Sequence, residues 1–278
     1  CTLSGLSPNK EYYYKVCATD KVGNVSTCKT GTVKTALVKS VTSSGTTYFT
    51  SLKDAINTAI NSKVGTTITL MDTTSEYITI SNNAENDNVI VDFNSKTLNG
   101  TIVNFNTKSS LILKNGTISG GNGRAIYNDG PLTITNMHLK SSTTEFNEAI
   151  LNTETGHIVM NDTNITSGTT YALNNSSTSQ VNRINYHNSI TGQIKGKVVM
   201  VTKTTTGVQY RVFGNAVTLC RAWSSASGSS ASVEYTASST TNSYGTYYYC
   251  NINKANHNNQ TGNYGITVLN GNSLVIGT

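Results

Sequence analysis

Two pairs of oppositely charged residues stand about one repeat apart in this chain: Asp92 with Lys114, and Arg124 with Glu148. A carboxylate and a Lys or Arg base on one outer face, together with acidic calcium ligands, is the equipment of a polysaccharide lyase. Two carboxylates in one patch is the equipment of a glycoside hydrolase. Asp87, Asp92 and Asp162 do not converge on one patch. Opposite charges in register on neighbouring strands make a charge ladder more simply than a catalytic site, and each exposed pair contributes at most about 1 kcal/mol. His138, His157, His187 and His257 are scattered, with no HxH or HExxH spacing, so no metal is expected. No GxSxG elbow presents a serine nucleophile, and no cofactor is implied. Tyrosine is the suggestive excess: there are 15, with Tyr244, Tyr247, Tyr248 and Tyr249 clustered. Exposed tyrosines stack on sugar rings and donate hydrogen bonds. Tyr244, Tyr247 and Tyr249, with Trp223, are therefore the candidate ligand-binding residues. The competing reading packs alternate members of the tyrosine cluster into a core.

The chain that must position these residues has 278 residues, 12% charged residues, 2 prolines and a net charge of +6. Asn, Ser, Thr and Gly carry its polarity, which fits turn-rich β structure and argues against helical bundles. The positive charge is spread out, with no Lys/Arg run and no interleaved aromatics, so nucleic acid is not an expected partner. Cys17 and Cys28 flank a short turn, and Cys220 and Cys250 lie in a second β-rich stretch. Disulfides Cys17–Cys28 and Cys220–Cys250 are expected, in an oxidising extracellular setting, with Cys1 left over. No apolar run is long enough to span a membrane. The chain has no initiating Met and opens within a motif, so it reads as a piece of a longer polypeptide whose upstream domains are its neighbours.

Five segments align beneath one another: 67–71, 89–93, 111–115, 132–136 and 158–162, at steps of 22, 22, 21 and 26 residues. Each is a short strand with no partner of its own, so the units must stack to bury a common face. Further strands follow in each unit, such as Arg124-Ala125-Ile126-Tyr127-Asn128 and Glu148-Ala149-Ile150-Leu151-Asn152. Asn or Gly stands at the corners, where the left-handed backbone is tolerated, and stacked Asn side chains can bond from coil to coil. Alternation puts the columns Thr67/Val89/Leu111/Leu132/Ile158 and Thr69/Val91/Leu113/Ile134/Met160 inside. It puts Ile68/Ile90/Ile112/Thr133/Val159 and Leu70/Asp92/Lys114/Thr135/Asn161 outside. The outward apolar column calls for cover, which docked flanking domains would supply. Three strands per coil with such corners resembles the right-handed parallel β-helices of the pectate-lyase-like superfamily. Before the repeats, Leu52, Ala55, Ile56, Ala59 and Ile60 fall on one helical face. Ser51 is the expected N-cap, Asp54 its capping-box partner and Gly65 the stop. This helix is expected to cover the open end of the β-helix.

The run from Leu3 to Val16, LSGLSPNKEYYYKV, resembles the last strands of a fibronectin type III domain, and the family likeness makes Tyr12 a tyrosine corner. Strand patterns with a serine-rich loop, Ser224 to Ser232, fill the end of the chain. There the segment from His257 to Val268, with Trp223 and Gly245-Thr246-Tyr247, resembles the Bsp-like repeat of bacterial cell-wall proteins. The expected class is thus all-β: residues 1–36 the C-terminal part of a fibronectin type III-like sandwich, 37–200 a right-handed parallel β-helix with a capping helix near 51–62, and 201–278 an Ig-like sandwich. These likenesses imply a non-catalytic part of a secreted or wall-attached bacterial surface protein. Its expected partner is a glycan or a host or envelope surface component, and its role adhesion, glycan binding or projection of another domain. A polysaccharide lyase or hydrolase and a trimeric phage tail-spike-like receptor binder are the alternatives.

Overall fold

A computed structural model describes residues 3–81, 85, 88–120, 123–142, 146, 148–177, 182–185, 189–203, 207–214, 219–224, 232–253, 264–268 and 272–276. Its centre is a parallel β-helix of about five turns. The parallel ladder of the first face runs through Thr66–Leu70, Val89–Asp92, Leu111–Ser119, Pro131–Lys140, His157–Asn161, Asn182–Asn185 and Val198–Lys203. The strands Leu111–Ser119 and Pro131–Lys140 are long because they turn a corner and continue on a second face, where Thr117 pairs with His138 and Ile118 with Leu139. The corner residues Asn94, Ser95, Asn115, Asn136 and Asp162 have φ of 48°, 63°, 59°, 51° and 46°. Short polar side chains accept that left-handed backbone at low cost. A third face stacks Ile78–Ile80, Ile102–Asn104, Ile126–Asn128, Glu148–Asn152 and part of Asn164–Asn175.

Inside the coils the columns Val89/Leu111/Leu132/Ile158 and Val91/Leu113/Ile134/Met160 are buried, as the alternation requires. The first rung departs from the expected register. Thr66, not Thr67, pairs with Val89, so Ile68 and Leu70 are buried and Thr67 and Thr69 face out. Side chains alternate with a period of two, so a slip of one residue exchanges the faces. The observed register buries two large apolar side chains in place of two hydroxyls. Ile90, Ile112, Thr133 and Val159 face outward as expected and are half-buried.

The helix α1 (Leu52–Ser62) buries Leu52, Ala55, Ile56, Ala59 and Ile60 in the same core as the coils, closing the end of the stack. Ser51 caps it, its Oγ accepting from Asp54 N at 3.2 Å. The second capping group comes from far along the chain. Glu76 accepts from Leu52 N at 2.9 Å, Lys53 N at 3.0 Å and Ser51 Oγ at 2.9 Å. Three of the donors at a helix start are thus met by one carboxylate, on the end where the macrodipole favours negative charge. The helix ends at Lys63, φ 55°, rather than at the expected Gly65. Between the hairpin at the N-terminus and α1, Val38–Thr42 pairs antiparallel with both Gly45–Phe49 and the first rung, Thr66–Leu70.

Two asparagine ladders run from coil to coil. One is buried on the third face: Asn104 Nδ2 donates to Asn128 Oδ1 (2.9 Å), Asn128 Nδ2 to Asn152 Oδ1 (2.8 Å) and Asn152 Nδ2 to Asn175 Oδ1 (2.8 Å). Asn175 Nδ2 then donates to Lys197 O at 2.9 Å. The other follows the outer corner, with Asn136 Nδ2 donating to Asn115 Oδ1 at 3.1 Å and Asn115 Nδ2 to Asp92 Oδ2 at 3.2 Å.

At the N-terminal end Glu11–Val16 and Lys29–Lys34 form a two-stranded antiparallel sheet closed by the Cys17–Cys28 disulfide. Ser7 N donates to Tyr12 Oη at 2.9 Å, the bond a tyrosine corner makes. At the other end Gly207–Phe213 pairs antiparallel with Val198–Lys203, so the β-helix ladder continues without a break into Gly245–Asn253 and then Ser238–Asn242. A separate four-stranded antiparallel sheet holds Leu219–Ser224, Ser232–Thr236, Tyr264–Val268 and Asn272–Ile276.

Candidate functional site

The third face carries an open groove of about 720 Å³ near the α1 end of the rod. Its walls follow from the ladder. Ile126 and Asn128 point inward, so Tyr127 points out, and Val103 stands beneath it on the preceding rung. Phe105 follows the strand Ile102–Asn104, and its ring meets Tyr127 edge-on, centroids 5.3 Å apart at 62°. This is the offset geometry aromatic pairs prefer. Tyr77 and Phe146 complete the rim. Tyr77, Phe105 and Phe146 keep 64%, 39% and 40% of their surface exposed, so ring area is open to a ligand. Two glycines allow the walls to approach. A Cβ at Gly123 would lie 2.1 Å from the Phe146 ring, and one at Gly100 would lie 1.9 Å from Glu76 O.

Arg124 is the hub of the groove. Its guanidinium carbon lies 4.0 Å from the Phe146 centroid and 5.6 Å from that of Tyr127. Its Nη2 is 2.6 Å from Glu148 Oε1 on the next rung, with side-chain exposures of 15% and 7%. This is a mostly desolvated pair held by cation–π stacking as well as charge. Arg124 O accepts from Thr101 Oγ1 at 2.8 Å, tying the hub to the rung below. Glu76 also lines the groove, with its carboxylate committed to the start of α1 and to Thr74 Oγ1 at 3.1 Å. Glu76 and Glu148 occupy equivalent positions three rungs apart, roughly 14 Å at the ordinary strand spacing. The two carboxylates of a glycosidase stand about 5–9.5 Å apart.

The other charged pair also forms. Lys114 Nζ lies 3.4 Å from Asp92 Oδ2 on the first face. Asp92 accepts further bonds from Asn94 N (2.9 Å) and Asn115 Nδ2, so it belongs to the corner ladder. A second, shallower polar groove of about 270 Å³ runs along that corner past Asn115, Asn136, His138 and Asn164. His138 Nε2 lies 3.3 Å from Thr166 Oγ1. Burial, and secondarily the charge of Lys140, hold the His138 imidazole below its ordinary pKa. Burial likewise lowers Arg183, which a nearby Tyr210 partly offsets. Among the described residues no three His, Cys, Asp or Glu side chains are grouped to hold a metal ion.

The tyrosine cluster lies elsewhere. Tyr247 is 6% exposed and packs against Phe213 (5.2 Å) and Tyr249 (6.1 Å), with Arg211 over its ring. Named as a candidate ligand-binding residue, Tyr247 takes the core position that the competing reading gave to alternate members of the cluster: Gly245–Asn253 is paired on both sides, and alternation turns Tyr247 inward. Tyr244 and Tyr249 are partly buried against the same core. Tyr244 O accepts from Ile194 N at 2.9 Å, joining this hairpin to the β-helix. The Trp223 side chain lies outside the described residues, as do Cys1, Asp87, His187 and His257. Cys250 is disulfide-bonded, and the side chain of its expected partner Cys220 is also outside them.

Sequence reasoning named Arg124 and Glu148 and missed the rings around them. Tyr127 was readable, since it follows Ile126 in an aligned strand and must face out. Tyr77 and Phe105 flank Ile78–Ile80 and Ile102–Asn104, strands too short to show as a repeat, and Phe146 sits in a connection. No helix among the described residues is long and apolar enough to cross a membrane. No family model, no curated protein and no solved structure matches this chain.

Proposed function

We propose that the chain is a non-catalytic, glycan-binding part of a secreted or wall-attached bacterial surface protein, with the third-face groove as its binding site. The observation that carries this reading is the set of four rings lining the groove, Tyr77, Phe105, Tyr127 and Phe146, arranged around one paired arginine on a rigid ladder. Sugars bind to such surfaces by laying their C–H faces on aromatic rings while hydroxyls meet polar edges. A site built on stacked strands needs little reorganisation to receive an extended chain. The Cys17–Cys28 disulfide fits an oxidising, extracellular location. The uninterrupted ladder suits projection from a surface.

The reading is tested on a printed polysaccharide array with the wild type and the Tyr77→Ala/Tyr127→Ala double variant. Binding by the wild type that drops at least about tenfold in the variant, with no new reducing or unsaturated ends, supports it. Release of such ends from a bound polysaccharide overturns it in favour of the enzyme. Binding indifferent to the double substitution overturns the assignment of the groove.

A further inference from the structure

We infer that the groove takes an uncharged glycan in preference to an acidic one; this rests on the reading of the groove as a sugar site. Among the described residues two charged side chains line it, Glu76 and Arg124, and both are already engaged. Arg124 is held by Glu148 at 2.6 Å with both side chains mostly buried. A sugar carboxylate or sulfate that takes the guanidinium must displace Glu148 and strand a buried carboxylate without its counter-charge, which is strongly unfavourable. Glu76 has its donors in Ser51, Leu52, Lys53 and Thr74, and remains an anion on the groove wall that repels another.

What the groove offers instead suits a neutral ligand. Exposed ring surface on Tyr77 and Phe105 accepts the C–H face of a pyranose without regard to charge. The exposed polar side chains Ser75 and Asn99 line the same groove and can meet sugar hydroxyls while the ion pair stays intact. The net charge of +6 does attract acidic polymers, but that attraction is spread over the surface and is screened by salt. It is thereby separable from recognition in the groove.

The experiment compares neutral hexose and N-acetylhexosamine oligomers with uronate oligomers of matched length, by titration calorimetry in low and high salt. The proteins are the wild type, Tyr127→Ala and, because Tyr77 is largely exposed and its loss cannot unfold the coil, Tyr77→Ala. The expected result is neutral oligomers bound at both salt levels, weakened about tenfold or more in each variant. Uronates bind about tenfold more weakly or not at all, and high salt abolishes what remains. Uronates that bind more tightly than neutral oligomers and lose that binding in the variants overturn this inference while leaving the groove a sugar site. Oligomers of either class that bind variants and wild type alike, or bind neither, overturn the reading of the groove itself.

Discussion

Asn128 and Asn152, 24 residues apart, meet side chain to side chain inside the third face, Nδ2 to Oδ1 at 2.8 Å, and both are fully buried. Each amide has a donor and an acceptor to place, and the ladder places both in the neighbouring rungs. Asn128→Ala strands Asn104 Nδ2 and Asn152 Oδ1, while the Gly130 carbonyl that Asn128 Nδ2 also reaches keeps His157 N as its donor. A buried group left unpaired costs about 1–3 kcal/mol, so the variant loses about 3–5 kcal/mol. Urea unfolding of the variant measures it, and a loss below about 1 kcal/mol would mean that water replaces the side chain.

Glu76→Gln keeps the size of the helix clasp and removes its charge. The amide still accepts, with one oxygen in place of two, so the start of α1 loses bonds and the favourable field. The expected loss is about 1–2 kcal/mol. Hydrogen exchange reads it locally: the amides of Leu52 and Lys53 should exchange faster, while the rungs beyond Leu111 keep their protection. Uniform deprotection of the whole rod would contradict a local clasp.

Reducing Cys17–Cys28 opens a loop of 11 residues, which the chain-entropy view values at about 2–3 kcal/mol. The cost should fall on the two-stranded sheet Glu11–Val16/Lys29–Lys34, whose side chains are largely exposed. In Cys17→Ser/Cys28→Ser, proteolysis should cut within residues 1–36 while the β-helix melts at its wild-type temperature. A β-helix that melts earlier would show that the sheet braces it.

His138 gives the corner groove a pH dependence. Its folded-state pKa lies below the ordinary value because the charged ring is poorly solvated, so the folded chain resists protonation more than the unfolded one. Stability from this residue is complete above about pH 6.5 and declines as the pH falls toward the depressed folded value. Relative to His138→Gln, the wild-type melting temperature should therefore drop between neutral and mildly acidic pH. Parallel curves for the two proteins would refute it.

The stacking was legible in the sequence because the first-face strands are apolar at alternate positions over four rungs, a column that stacked units bury in common. Val89, Leu111, Leu132 and Ile158 needed only counting. The first rung was misplaced because spacing alone, and not its apolar pair Ile68 and Leu70, chose between the two registers of Thr66-Thr67-Ile68-Thr69-Leu70. The hairpin partner Val38–Thr42 and the burial of Ile68 and Leu70 decide between them, and neither is visible as a repeat. The helix face was readable from its period, but the clasp by Glu76 depends on a residue 25 positions from Ser51, brought there by the first coil. The groove followed the same logic. Its ion pair and Tyr127 lie in aligned strands, while Tyr77, Phe105 and Phe146 lie outside the strands that show as repeats.

One sheet passes from the hairpin Val38–Thr42/Gly45–Phe49, through the seven first-face rungs, to Gly245–Asn253 and Ser238–Asn242. Its backbone bonds point along the rod, so traction applied to the two ends meets them one after another, in series. Such a body resists bending well and stretching poorly. Under a steady pull it would yield by shedding single coils, each step releasing slack.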